Sequence, residues 1–232
     1  MGPGDKDLSI FSDVGWLAKQ RPDFREECFS HGRIVAARRG EAIYREGDLG
    51  LSIYGLISGA IAVLIGPPRL APRLANIIGP GTWIGVGPVL TGNPRVLEFR
   101  AVSDCHLLMV PGPAVEQLSN ARPEYARAIG ALAIIGHNVA SRVAGELLIP
   151  SSTRRIAAII LRIGAPSSTE ARIGSEGIVV TQSQLAEMAN VSRNVANGVL
   201  CRLRGAGWIE TSYGRLTVRN REALAIYAYG ED

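Results

Sequence analysis

Side chains able to hold a metal or run nucleophilic chemistry are thinly spread along this sequence. Its three cysteines, Cys28, Cys105 and Cys201, stand far apart, without the close spacing of zinc or iron–sulfur ligand sets. Reduced, mostly buried thiols in a cytosolic protein are the expectation. His31, His106 and His137 are equally scattered, so neither a haem nor a metal site is expected. No nucleophile–base pair or Walker-type loop is visible, and Gly79-Pro80-Gly81 and Gly85–Gly87 read as turns of a β domain. These absences argue against an enzyme.

Lysine is nearly missing as well. Lys6 and Lys19 are the only two, so arginine carries the positive charge. Guanidinium forks match phosphate oxygens, but a GC-rich genome raises Arg, Ala and Gly together and is the plainer source of the bias. Long apolar runs are also lacking. The longest, 128–135, is stopped by His137 and Asn138 and falls short of the ~20 residues of a membrane span. A charged-then-apolar leader is absent too, because Asp5, Lys6 and Asp7 precede only a short apolar patch. The expectation is a soluble cytoplasmic protein with no membrane partner.

What is present is 232 residues, 47% of them apolar, with a formal net charge of +4. That length allows two modest domains with buried cores. The mild positive charge fits a nucleic-acid partner without proving one. Ile10, Phe11, Val14, Leu17 and Phe24 recur at helical spacing, broken at Pro22, which predicts short N-terminal helices. From Ile34 to Val110 short apolar runs such as Ile53–Ile57, Ala60–Ile65 and Leu107–Val110 alternate with Gly-rich turns. That rhythm predicts an antiparallel barrel or sandwich.

A helix should start around Pro113–Gln117, and a long one should run from Pro123 to about Leu148. Its apolar stripe passes through Tyr125, Ile129, Leu132, Ile135 or Gly136, Val139, Val143 and Leu147. The stripe is longer than one small domain usually covers, which favours pairing with a second copy over packing on its own domain. After Pro150, Ser152 or Thr153 is expected to cap a helix over Arg154–Ile163, then come a loop over Gly164–Ser168 and a short strand at Ile178–Val180.

The stretch Thr181–Leu200 has the layout of a helix-turn-helix. Thr181 caps the first helix, Leu185, Ala186 and Met188 face inward, and Ala189-Asn190-Val191 forms the turn, with Asn190 left-handed. Ser192 caps the second helix. Val195, Val199, Leu200 and Leu203 are expected to face the core, leaving Arg193, Asn194 and Asn197 outward to read base edges. Arg can bridge guanine and Asn can bridge adenine. Thr181, Gln182, Ser183 and Ser192 sit near helix N-termini, where amides and hydroxyls suit phosphates. Beyond the second helix, Gly207-Trp208-Ile209 and Leu216-Thr217-Val218 flank a Tyr213-Gly214-Arg215 turn, predicting a wing with Arg215 at its tip, and a helix over Arg221–Tyr227 closes the chain.

These residues resemble the cyclic-AMP receptor protein/fumarate–nitrate regulator (CRP/FNR) family over essentially the whole chain. The matches are Leu185-Ala186, Val191-Ser192-Arg193, Leu200, Leu203, Gly207-Trp208-Ile209 and Gly214-Arg215. To these the N-terminal half adds Gly40-Glu41, Tyr44-Arg45-Glu46-Gly47-Asp48 and Leu56-Ile57-Ser58-Gly59. The resemblance implies an α+β chain in three parts. Residues 1–122 would form an antiparallel β-roll sensor like a cyclic-nucleotide-binding domain, 123–149 a dimerisation helix and 150–232 a winged helix-turn-helix. It further implies a homodimeric transcription regulator with double-stranded DNA as partner, with RNA polymerase admitted as another. The competing reading is an interaction module whose winged helix binds a protein, against which the exposed Arg193, Arg202, Arg204 and Arg215 argue.

The sensor motif departs from the family pattern. Where cyclic-nucleotide binders carry Phe-Gly-Glu and then Arg-Ser or Arg-Thr, this chain has Trp83-Ile84-Gly85-Val86-Gly87 and then Arg95-Val96. Val86 replaces the ribose-binding Glu and Val96 the hydroxyl residue. Each unmade hydrogen bond costs about 1–3 kcal/mol, so weak or no cyclic-AMP binding is expected. An effector of unknown identity is expected among Trp83, Gly85, Val86, Gly87, Arg95 and Val96, a small apolar or aromatic carboxylate suiting the retained Arg95. On the recognition helix Arg193 keeps a base-reading position, whereas the usual Glu is Asn194 and a later Arg is Gly198.

Overall fold

The computed structural model describes residues 8–67, 70–164 and 177–230. Most of the loop expected over Gly164–Ser168 therefore lies outside the described residues. The described chain divides into two compact units, one of residues 8–65 and 78–139, the other of 66–67, 70–77, 140–164 and 177–230.

The first unit opens with helices α1 (Ile10–Asp13), α2 (Gly15–Ala18) and α3 (Pro22–His31), the last begun by Pro22 at its first turn. Strands follow along the chain, interrupted once by α4 (Val86–Thr91): β1 (Arg33–Ala37), β2 (Ala42–Tyr44), β3 (Ile53–Ser58), β4 (Ile61–Ile65), β5 (Arg73–Ile78, which up to residue 77 belongs to the second unit), β6 (Trp83–Ile84), β7 (Glu98–Ala101) and β8 (Cys105–Val110). Those of this unit form two antiparallel sheets in the orders β1-β8-β3-β6 and β2-β7-β4. The pairings are antiparallel, with Leu56 opposite Leu107 and Val63 opposite Phe99. Side chains alternate along these strands, so Leu56, Ile61, Phe99 and Leu107 meet in one core.

A second core lies between the N-terminal helices and the helices after β8, α5 (Gly112–Ala121) and α6 (Pro123–Leu147). Phe11 lies tilted and Trp16 edge-on against Trp83, at 5.1 and 5.3 Å between ring centroids, and Phe24 packs on Tyr125 at 4.8 Å. The Trp16 indole N–H donates to the Ala128 carbonyl at 2.8 Å, which satisfies a buried polar group. Tyr125, Ile129 and Leu132 are buried in this core, whereas Ile134, Ile135 and Val139 farther along α6 are exposed.

In the second unit Ser151 caps α7 (Ser152–Ile163) by accepting from the Arg154 N–H at 3.4 Å, one residue earlier than the sequence suggests. Its Ile156, Ile159 and Ile160 are fully buried, each contributing about 1.5–3 kcal/mol by leaving water. They face α10 (Arg221–Tyr229) and α8 (Gln182–Met188). The remaining elements are β9 (Ile178–Val179), α9 (Arg193–Gly205), β10 (Ile209–Ser212) and β11 (Arg215–Val218), with strand order β10-β11-β9. Among the described residues no helix is long and apolar enough to cross a membrane.

Candidate nucleic-acid interface

The helix-turn-helix is built from local capping before it is built from packing. Thr181 Oγ1 accepts from the Gln184 N–H at 3.2 Å while Gln184 Oε1 accepts from the Thr181 N–H at 2.8 Å. This reciprocal box fixes where α8 starts and satisfies two amides that have no helical partner. At the other end the Ala189 and Val191 amides bond back to Leu185 and Ala186, both at 3.0 Å. Asn190 is left-handed with φ 51°, the one non-glycine residue described with positive φ. Ser192 then caps α9, its Oγ accepting from the Val195 N–H at 3.3 Å.

Ala186, Met188 and Ala189 of the first half are buried, as are Ala196, Val199, Leu200 and Leu203 of α9. Small residues where α8 and α9 cross let the backbones approach closely. The expected inward Val195 is a correction. Its side chain is 41% exposed and Ala196 takes the inner position. Ala196 lies three residues before Val199 and four before Leu200, so the helical period sets it, and not Val195, at the centre of the inner face.

Arg193, Asn194 and Asn197 are all exposed on α9, and Thr181, Gln182, Ser183 and Ser192 are exposed at the two helix starts. The expected base-reading and phosphate-binding side chains thus emerge on the accessible side of one motif. The wing is a two-residue hairpin, with Ser212 opposite Arg215 and Tyr213-Gly214 between them. Gly214 has φ +69°, which a side chain would strain. Arg215 is therefore the first residue of the returning strand, and the fully exposed Tyr213 forms the tip. Arg204 Nη1 donates to Thr211 Oγ1 at 3.2 Å, which joins α9 to the wing.

Sequence reasoning missed Cys201, which is exposed on α9, unlike the buried Cys28 and Cys105. The signal was available, since Asn194, Gly198, Cys201 and Gly205 recur at three and four residues and share the outer line of the helix.

In the first unit the residues expected to meet an effector are dispersed. Arg95 is 3% exposed, and its Nη1 and Nη2 donate to the carbonyls of Gly85 and Ser52 at 2.8 and 2.7 Å. Its Nε is buried without a hydrogen-bond partner. A Cβ on Gly85, whose φ is +94°, would lie 2.7 Å from both Arg95 Nη1 and the Ser52 oxygen, so only glycine fits under this guanidinium. Trp83 and Val86 turn into the aromatic core, while Gly87 is exposed and Val96 is 77% exposed. Burial pushes the Tyr44 hydroxyl well above the usual phenol range, partly offset by Arg95. Among the described residues no group of His, Cys, Asp and Glu is placed to hold a metal ion.

Residues 34–122 match the cyclic nucleotide-binding domain and residues 154–227 the Crp-like helix-turn-helix domain. The chain is 22% identical to the CRP-like cAMP-activated global transcriptional regulator of Mycobacterium tuberculosis over 193 residues, covering 81% of this chain and 84% of that one. It is 25% identical to the cyclic AMP receptor protein of Thermus thermophilus over 205 residues, covering 83% and 86%. Among solved structures FixK2 of Bradyrhizobium japonicum superposes with a TM-score of 0.74 at 16% identity, covering 87% of this chain and 99% of that one. That likeness speaks to the fold.

Proposed function

The chain belongs to the CRP/FNR family of DNA-binding transcription regulators, and from that premise we propose how it binds and what it answers to. Two copies pair through α6 and present two α9 helices to adjacent major grooves of a roughly palindromic site. Arg193, Asn194 and Asn197 meet base edges there. Thr181, Gln182, Ser183 and Ser192 lie at the phosphates, and Arg215 on the wing meets the sugar–phosphate backbone. The observation that carries this reading is the doubly capped helix pair with those side chains outward. Pairing draws support from Ile134, Ile135 and Val139, which a single copy leaves exposed on α6. RNA polymerase is a further partner within this proposal.

The effector is a small molecule other than cyclic AMP. The Val86 and Val96 side chains offer no hydrogen bond to a ribose or a phosphate, and two of the three guanidinium nitrogens of Arg95 already serve backbone carbonyls. Its Nε remains, which suits a small carboxylate better than a cyclic nucleotide.

Titration of full-length protein into labelled duplex DNA over a salt series tests the first part. Affinity should fall steeply with salt as phosphate contacts release counterions, and Arg193→Ala should lose sequence discrimination more than bulk affinity. No DNA binding at low salt would favour the protein-binding alternative. Calorimetry with cyclic AMP tests the second part, where micromolar binding abolished by Arg95→Ala would overturn the effector proposal.

A further inference from the structure

A chain of polar contacts runs along the recognition helix and back to the first helix of the motif. Gln182 Nε2, in the first turn of α8, donates to Asn197 Oδ1 at 3.2 Å. One turn farther along α9 the Cys201 thiol reaches the same oxygen at 4.0 Å. The Cys201 sulfur in turn receives Arg204 Nη2 at 3.1 Å, and Arg204 is itself held by Thr211.

A guanidinium can only donate, so its N–H points at the sulfur and the thiol hydrogen is left to point at the amide oxygen. That oxygen has two lone pairs. Gln182 takes one at 3.2 Å, and the Cys201 thiol lies against the same oxygen at 4.0 Å. Asn197 is left to offer Nδ2, a donor with two N–H bonds. Beside it Gly198 is exposed, and nothing stands within 4 Å of where its Cβ would be. A base edge can therefore approach the Asn197 amide from the Gly198 side without meeting a side chain there.

We infer that Gln182 is a specificity-determining positioning residue, which holds Asn197 with its amide nitrogen outward so that Asn197 selects an acceptor on the base edge. Guanine O6 and N7 and thymine O4 are acceptors with no donor beside them in the major groove, whereas adenine sets its N6–H donor next to N7. Adenine is recognised by Asn through a paired donor and acceptor, and cytosine presents a donor. With its oxygen occupied, Asn197 cannot accept from adenine N6 or cytosine N4, so the bidentate adenine pairing expected of an outward Asn does not apply at this residue. This inference rests on the proposal that α9 reads DNA.

Selection of binding sites from a randomised duplex library by the full-length protein, followed by sequencing, is the test. The half-site position that loses its preference in Asn197→Ala should be guanine or thymine in the wild type. Gln182→Ala frees the amide to turn, and adenine should rise at that position to within about twofold of the favoured base. Gln182→Glu replaces the donor with an acceptor, which should turn Asn197 Nδ2 inward and its oxygen outward. Adenine or cytosine should then be favoured by about fivefold, the discrimination of one hydrogen bond. Gln182 is exposed, and base preference is read within each variant, so a change in overall affinity does not confuse the result. A wild-type preference for adenine or cytosine at that position overturns the inference. So does an unchanged preference in both Gln182 variants, or an unchanged motif in Asn197→Ala. If the wild type enriches no sequence, the DNA-reading proposal falls with it.

Discussion

The guanidinium carbon of Arg95 lies 4.0 Å from the centroid of the Tyr44 ring. Stacked there and bonded to the Gly85 and Ser52 carbonyls, Arg95 braces the segment between β6 and β7 whether or not an effector is bound. Removing it leaves two carbonyl oxygens without their partner and an aromatic face uncovered. Arg95→Ala should therefore destabilise the effector-free protein by about 2–4 kcal/mol, measured by urea unfolding. Arg95→Lys should recover little, since an ammonium cannot reach both carbonyls while stacking. Unchanged unfolding in Arg95→Ala would assign the residue to ligand binding alone.

Asn190 sets the angle between α8 and α9 through its φ of 51°. Asn adopts this conformation at modest cost, and a β-branched residue does so poorly. Asn190→Gly should unfold within about 0.5 kcal/mol of the wild type, and Asn190→Val should lose about 1–2 kcal/mol. The measurement is the thermal midpoint, and DNA affinity should follow the same order because the turn aims the recognition helix. Equal losses in both variants would mean the Asn side chain, not the backbone, holds the turn.

How much of this was legible beforehand depends on the range of the interaction. The helix-turn-helix could be read because its signals are local. Thr181 and Ser192 cap by contacts three residues away, and Asn190 marks its own turn. The strands could be read from alternating apolar residues and Gly-rich turns, although their pairing, with Ile53 opposite Val110, could not. Arg95 was visible as a charge in a sensor motif. Its burial beneath carbonyls from residues 52 and 85 depends on loops that only the folded chain brings together. Gln182 and Asn197 are 15 residues apart, and their bond follows from the crossing of two helices. Val195 was misread because the valine looked more apolar than the alanine beside it, although the helical period selects Ala196.

The three cysteines should separate by reactivity. Burial pushes the Cys28 thiol up to about 12 and the Cys105 thiol upward as well. Since only the thiolate alkylates, neither should react with iodoacetamide at neutral pH in the folded protein. Cys201 is exposed and should be modified first. Mass spectrometry of timed digests should find Cys201 alkylated before any Cys28 or Cys105, and urea should bring all three to similar rates. Early labelling of Cys28 would mean that the N-terminal helices open readily.

Glu146 and Arg162 form a buried ion pair, Arg162 Nε donating to Glu146 Oε2 at 2.7 Å with each side chain 6% exposed. Arg162 also bonds Asn76, and Glu146 Oε1 has no partner. Burial raises the Glu146 carboxyl above its ordinary 4.5, and Arg162 and Arg142 only partly oppose this. Tyr229 faces the same carboxylate, its hydroxyl also pushed up by burial. Because the folded state holds the Glu146 proton more tightly than the unfolded chain, ionising this group favours unfolding. Its contribution to stability is full below the ordinary carboxyl value and is lost as pH rises through the raised one. The wild type should therefore lose stability relative to Glu146→Gln as pH rises above the ordinary carboxyl value of 4.5, read from chemical unfolding at each pH. Arg162→Met, which strands the carboxylate, should cost about 3–5 kcal/mol at neutral pH, and combining it with Glu146→Leu should restore part of that loss. A wild type that gains stability on Glu146→Gln as pH rises would show that Arg162 outweighs burial at this carboxylate.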